Sequence, residues 1–329
     1  MATEPPTIQP SKETDATIPA SAEALLTTTG AVPGLIRLPA GIELNEAQAR
    51  SMESERPVRL IVLAGAVDCG KTTLLTSLYE LFQTAPIEKK MFAGCDTLPA
   101  FEKKCHLGRT DSGNDEEDTG RNTYEGPHPE YVHLKLQNGP KALGQIDFLI
   151  TDVSGEMFEH ARNSTDECKK LTFLRRAVHI LVFLDCEKLF QPTKRWGMVK
   201  DATSLIQSCL DSEMFEPDCF VTVVWAKVDF VEAAKEKEKN AAKVLMQQAE
   251  KEFKTRFDHR IKNLKFHQIA ARPKRYPKLT FGYGVGELLE DWVTKYPQGR
   301  TVASESTSVS VDQDEEEQVE TNHQATSTQ

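Results

Sequence analysis

The chain has 329 residues, 39% of them apolar, and a formal net charge of −10. That length fits one large domain or two small ones, and the low apolar fraction leaves part of the chain without enough buried surface to order itself. No window approaches the roughly 18 consecutive apolar residues of a membrane-spanning helix, so no span is expected.

Residues 1–56 read as a mobile tail: "TEPPTIQPSKETDATIPA" is rich in Pro, Thr and Glu and keeps neither a helix nor a strand period. Within it, "AVPGLIRLPAGIEL" (31–44) has the apolar content of a short docked segment. The opening residues lack the basic start and apolar run of a secretory signal. The seven cysteines are odd in number and contain no C-x-x-C pair, which fits reduced thiols and a cytoplasmic protein. The spacing of Cys95, Cys105, His106 and His128 matches no structural zinc site.

Val58–Ala64 is a continuous apolar run, as expected of a strand covered on both faces. It leads into Gly65-Ala66-Val67-Asp68-Cys69-Gly70-Lys71-Thr72, a match to G-x-x-x-x-G-K-[ST], and then into an apolar helix over Lys71–Gln83. Glycines at Gly65 and Gly70 let the backbone curl so that successive N–H groups face phosphate oxygens, and the helix adds its positive N-terminus. Lys71 would reach the β- and γ-phosphates, the Thr72 hydroxyl would ligate Mg²⁺, and Asp68, Cys69, Gly70 and Thr73 complete the loop. Asp68 is expected to brace the loop by hydrogen bonding. Cys69, beside Lys71 and a helix N-terminus, stands where thiolate is favoured.

The segment 86–130 is long for a connection. Thr123, and behind it Thr119, are its candidates for Mg²⁺ and γ-phosphate sensing, Thr123 being nearer the next strand. Arg109 and Arg121 are its candidates for a catalytic arginine supplied in cis. Tyr131–Leu136 alternates apolar and polar, as an edge strand does, and Asn138-Gly139 marks a hairpin turn into a strand over Phe148–Asp152. That strand ends Asp152-x-x-Gly155. An Asp at a strand's carboxyl end can hold a Mg²⁺ shell, and the Gly155 N–H can contact a γ-phosphate. The next residue, Glu156, takes the place of a water-orienting group, but its charge opposes the phosphate's, so slow intrinsic hydrolysis completed by a partner or an arginine in cis is expected.

Further strands are predicted over Ala177–Asp185, Phe220–Ala226 and Phe266–Ala270, and helices over Glu156–Lys170, Thr193–Leu210, Val231–Phe257 and Val285–Tyr296. The inner stripe of the 231–257 helix reads Ala233, Ala241, Val244, Leu245, Ala249, Phe253 and Phe257. Lys227-x-Asp229, at the end of the 220–226 strand, resembles the guanine-reading [NT]-K-x-D motif of GTPases, in which the lysine stem covers the base and the carboxylate accepts from guanine N1–H and N2–H₂. Ala226 stands where that motif has Asn or Thr. Ala270-Ala271-Arg272 resembles the Ser-Ala-Lys turn whose backbone N–H touches guanine O6. Residues 300–329 form a Ser/Thr/Gln-rich acidic tail. The two tails hold 5 basic and 15 acidic residues, leaving 57–299 balanced at 35 of each. A neutral core has no electrostatic footprint for nucleic acid.

Taken in order, these motifs resemble a Ras-like P-loop GTPase. The insert "FAGCDTLPAFEKKCHLGR" (92–109), between "GKTTLLTSLYELF" and "DVSGE", is similar to the second type of the bacterial double-GTPase family. "GAVDCGKTT" also resembles "GHVDHGKTT" of translation factors, whose D-x-P-G-H is absent here. The double-GTPase resemblance covers residues 58–297. It implies a three-layer α/β domain over 57–299 with a mostly parallel six-stranded sheet, one antiparallel edge strand, a long switch I insert and disordered tails. It also implies GTP and GDP as ligands, Mg²⁺ as cofactor, GTP hydrolysis as the reaction, and a protein partner, such as a second GTPase or effector from the same conflict or defence operon. The expected function is a regulatory GTP switch. An ATP-dependent P-loop NTPase and a nucleotide-binding pseudo-GTPase scaffold are the alternatives, the latter kept open by Ala226 and Glu156.

Overall fold

The computed structural model describes residues 41–106, 128–139 and 144–296. Continuous apolar runs become parallel strands: β1 (Val58–Ala64), β4 (Gln145–Thr151), β5 (His179–Asp185) and β6 (Phe220–Ala226) are buried along most of their length, with β7 (Asn263–Gln268) beside them. With β2 (Lys90–Gly94) and β3 (Tyr131–Asn138) they form a seven-stranded sheet in the order β2-β3-β4-β1-β5-β6-β7. The β1–β4, β1–β5, β5–β6 and β6–β7 pairs are parallel, and the β2–β3 and β3–β4 pairs antiparallel.

The sheet therefore has one strand more than expected. β2 lies inside the insert and covers β3, so β3 is not the edge its alternation implied. Its His133 is paired rather than solvated. His133 is fully buried; Asp96 N–H donates to its Nδ1 at 3.0 Å, and its Nε2–H donates to Asp147 Oδ1 at 2.9 Å. Arg56 bridges Asp96 and Asp147 at 2.9 and 3.2 Å.

Helices pack on both faces. On one lie α1 (Glu46–Glu55), α4 (Gly155–Asn163), α5 (Thr165–Lys169), α6 (Arg195–Asp211), α7 (Asp229–Ala233) and α8 (Glu236–Phe257). On the other lie α2 (Lys71–Thr84), α3 (Leu98–His106) and α9 (Val285–Thr294). Helix α1 falls in the segment read as a tail. Asn45 and Gln48 cap it reciprocally, Arg176 ties it down through Glu46 and Glu53, and Leu44 pairs with Tyr131 just before it. Residues 31–40 of the expected docked segment lie outside the described residues, as does the tail at 300–329.

The stripe of α8 is Ala242, Met246, Ala249, Phe253 and Phe257, while Val244 is 50% exposed. The 3.6-residue period places Ala242 and Met246, rather than Ala241 and Val244, on the face shared with Phe253. Among the described residues no helix is long and apolar enough to cross a membrane.

Two buried histidines give the fold a pH dependence. Burial depresses the pKa of His133, and burial together with the Arg59 charge takes that of His179 down to about 3. His179 Nε2–H donates to the Lys295 carbonyl at 3.0 Å, and its ring stacks on Phe220. Below about pH 6.5 the unfolded chain protonates His179 while the folded chain does not, and His133 acts in the same direction. Stability is thus complete above that pH and declines beneath it, by up to ~1.4 kcal/mol per pH unit for His179. Urea unfolding between about pH 7 and about pH 5 measures that slope. His179→Leu should flatten it, and an unchanged slope in that variant would exclude His179 as its source.

Candidate functional site

The carboxyl ends of the parallel strands open on one side of the sheet, the usual position for ligands in α/β folds. There the loops after β1, β4, β5, β6 and β7 line a cavity of about 350 Å³.

At one end lies the glycine-rich loop. Gly70 takes φ +99° at the N-cap of α2 and makes no side-chain cap bond, and a helix N-terminus of this kind favours an anion. Asp68 is exposed on the cavity wall with φ +60°, a conformation that Asp tolerates better than most residues. Lys71 is 6% exposed and folds over its own loop, donating to the carbonyls of Gly65 and Ala66 at 2.9 Å each, with Cys69 Sγ at 3.8 Å. Cys69 is buried, and burial pushes its thiol pKa up despite the Lys71 charge, so the site does not favour thiolate.

The turn after β4 rests directly on this loop. A Cβ added to Gly155 would lie 2.3 Å from Val67 N and 2.5 Å from Ala66 C. Asp152 is 2% exposed; its Oδ1 accepts the Thr72 hydroxyl at 3.2 Å, and its Oδ2 pairs with Lys104 Nζ at 2.6 Å. Thr72 and Asp152 offer hard oxygen donors of the kind Mg²⁺ takes alongside phosphate and water. The described residues hold no group of three or more His, Cys, Asp or Glu suited to a metal. Glu156 is exposed and does not line the cavity; its N–H donates to Ser154 Oγ, the cap of α4, at 3.3 Å. Thr123, Thr119, Arg109 and Arg121 lie outside the described residues.

At the other end, Lys227 takes φ +59° and is held by Asp185 Oδ2 at 2.9 Å and Glu187 Oε2 at 3.4 Å. Asp229 is 2% exposed, and its Oδ2 accepts the N–H groups of Lys274 and Arg275 at 3.0 Å each. Its two oxygens are therefore not equivalent, because Oδ2 already holds the loop after β7. Ala226, Ala270 and Ala271 are buried along the same wall. Arg272 also lines the cavity, but its guanidinium is committed to Glu80 at 2.5 Å and lies over the Phe281 ring.

Asp185, Glu187, Lys104 and Glu43 were not singled out from the sequence. Asp185 carried a signal, since it ends a strand of the parallel series as Asp152 nearly does. Lys104 carried none, because only the packing of α3 brings it to Asp152.

A family model described as Double-GTPase 2 matches residues 59–293. No curated protein sequence matches the chain. Among solved structures, Methanosarcina barkeri Roco2 RocCORdC bound to GDP is similar at 15% identity with a TM-score of 0.36. The match covers 73% of this chain and 50% of that one, so the chain spans about half the length of that structure.

Proposed function

The chain belongs to the double-GTPase 2 family, and on that premise we propose that it is a Mg²⁺-dependent GTP-binding switch that hydrolyses GTP slowly. One observation carries the reading: a single cavity of about 350 Å³ gathers the P-loop, the Asp152-x-x-Gly155 turn, Lys227, Asp229 and the 270–272 turn from separate strand ends. Residues 57–299 are the proposed working domain. Lys71 and the N–H groups of Gly70 through Thr73 hold the β- and γ-phosphates, and Thr72 and Asp152 hold Mg²⁺, with Thr123 as the further ligand from the insert. Gly155 reports the γ-phosphate to α4. Asp229 Oδ1 and the Lys227 stem receive the guanine, with Ala271 and Arg272 lending backbone at O6.

Slow turnover follows from the place of Glu156. It is exposed and outside the cavity, so it does not orient a water against the transferring phosphoryl group. Mg²⁺ held by Thr72 and Asp152 would supply positive charge against the phosphates, and a protein partner that reads the switch completes catalysis. The scaffold alternative draws on that same exposed Glu156. Phosphate release under single-turnover conditions separates the two, because a scaffold releases none even with a partner present.

The nucleotide assignment is tested by competition between GDP and ADP. The wild-type chain should prefer GDP strongly. Asp229→Ala should lower that preference by about a hundredfold or more, the value of hydrogen bonds from a base to a buried carboxylate. Equal affinity for the two nucleotides in the wild type would sink the GTPase assignment and leave an ATP-dependent P-loop protein.

A further inference from the structure

The insert between α2 and β3 delivers a positive charge to Asp152, the partner of Thr72 at the phosphate end of the cavity. Helix α3 is fastened to α2 by Phe101, whose ring stacks on Tyr79 at 5.0 Å between centroids. Glu102 adds to this by accepting from the Tyr79 hydroxyl at 2.5 Å and from Gln83 at 3.2 Å. From this anchored helix, Lys104 places Nζ 2.6 Å from Asp152 Oδ2 and 3.0 Å from Glu43 Oε1. The side chains of Lys104 and Asp152 are 9% and 0% exposed, so solvent screens the pair little. The other oxygen of Asp152 faces Thr72. An ammonium thus occupies the carboxylate that a divalent cation would share.

Two consequences follow from charge alone. A neutralised Asp152 attracts a second cation less, and the ammonium itself adds to the attraction for phosphate. Both shrink the coupling between Mg²⁺ and nucleotide, a quantity that is the same whichever ligand binds first. We propose that Lys104 is a positioning residue through which the insert supplies part of the charge otherwise required of Mg²⁺, so that guanine nucleotide is held with less dependence on the metal than an unpaired Asp152 would give. This rests on the function proposed above. It gives the insert a role, since any partner that moves α3 withdraws Lys104 and makes nucleotide retention depend more strongly on Mg²⁺.

The test is the ratio of dissociation constants for N-methylanthraniloyl-GDP in EDTA and in excess MgCl₂, measured on the full chain. Lys104→Gln keeps an amide donor for Asp152 and removes the charge; it should raise that ratio about tenfold, within the usual range of coupling between sites. Lys104→Arg should leave the ratio near wild type. Glu43→Gln provides a variant that keeps the lysine; it commits Lys104 wholly to Asp152 and should lower the ratio. Nucleotide binding with the same ratio in Lys104→Gln, or in Glu43→Gln should the glutamine variant not fold, overturns the assignment of Lys104 alone. A wild-type chain that binds no guanine nucleotide in either buffer overturns the nucleotide reading and this inference together.

Discussion

Lys71→Ala is expected to weaken both GDP and GTP binding by about a hundredfold or more, equivalent to some 2.7 kcal/mol, the scale of charge-assisted hydrogen bonds to phosphate. The side chain is buried and already braces the loop through the Gly65 and Ala66 carbonyls. Its loss therefore removes both the phosphate contact and part of the loop's own support, and leaves two carbonyls to find other donors. Fluorescence titration measures the first effect and a thermal melt the second. The melting temperature should fall as well, because two carbonyls lose a buried donor, whereas the affinity should collapse by far more. Lys71→Arg keeps the charge but not the fit, since a planar fork replaces a narrow ammonium in a closed space; it should restore only a small part of the binding. Affinity within threefold of wild type in Lys71→Ala would mean that the loop does not bind phosphate through this residue.

Gly155→Ala should damage stability and binding at once. Within a helix, alanine is normally favoured over glycine by about 1 kcal/mol. Here the added methyl would meet Val67 N at 2.3 Å and Val67 Cα at 2.8 Å, both backbone atoms. A flexible side chain could move aside, but two packed backbones cannot, so either α4 or the P-loop shifts. Overpacking of this kind costs about 1–3 kcal/mol, which outweighs the gain in helix propensity. Because the displaced segment is the phosphate-binding loop, nucleotide affinity should fall at least about tenfold together with the melting temperature. Unchanged melting and unchanged affinity would show that the close approach of the two loops is not maintained in solution. A loss of stability with intact affinity would place the shift in α4 and leave the loop undisturbed.

Much of the site's outline could be read from the chain itself because its signals are local. Glycine spacing sets the P-loop, and continuous apolar runs set β1, β5 and β6 to within two residues at either end. The order of motifs along the chain then places Asp152, Lys227 and Asp229 at strand ends that a parallel sheet must bring to one side. Helix α1 was legible in principle, since Asn45-x-x-Gln48 is a capping pattern, but its ten residues bury only Ala49 and Met52 and show little apolar period.

What the sequence could not determine depends on partners distant along the chain. "YVHLKLQ" alternates like an edge strand, and nothing within it tells that His133 would be covered by Asp96, Asp147 and Arg56 and that β2 would pair beyond it. The first turns of the α8 stripe were misplaced because Ala241 and Ala242 stand side by side, and only packing against the sheet selects Ala242 and Met246. Lys104 reads as one more charge in "EKKC" until stacking of Phe101 on Tyr79 fixes the helix that carries it to Asp152. By itself the sequence determined which residues stand at the carboxyl ends of the strands, because backbone curl and burial are properties of neighbouring residues. Only the tertiary structure decided which charges meet there, because a buried ion pair is set by the docking of whole helices.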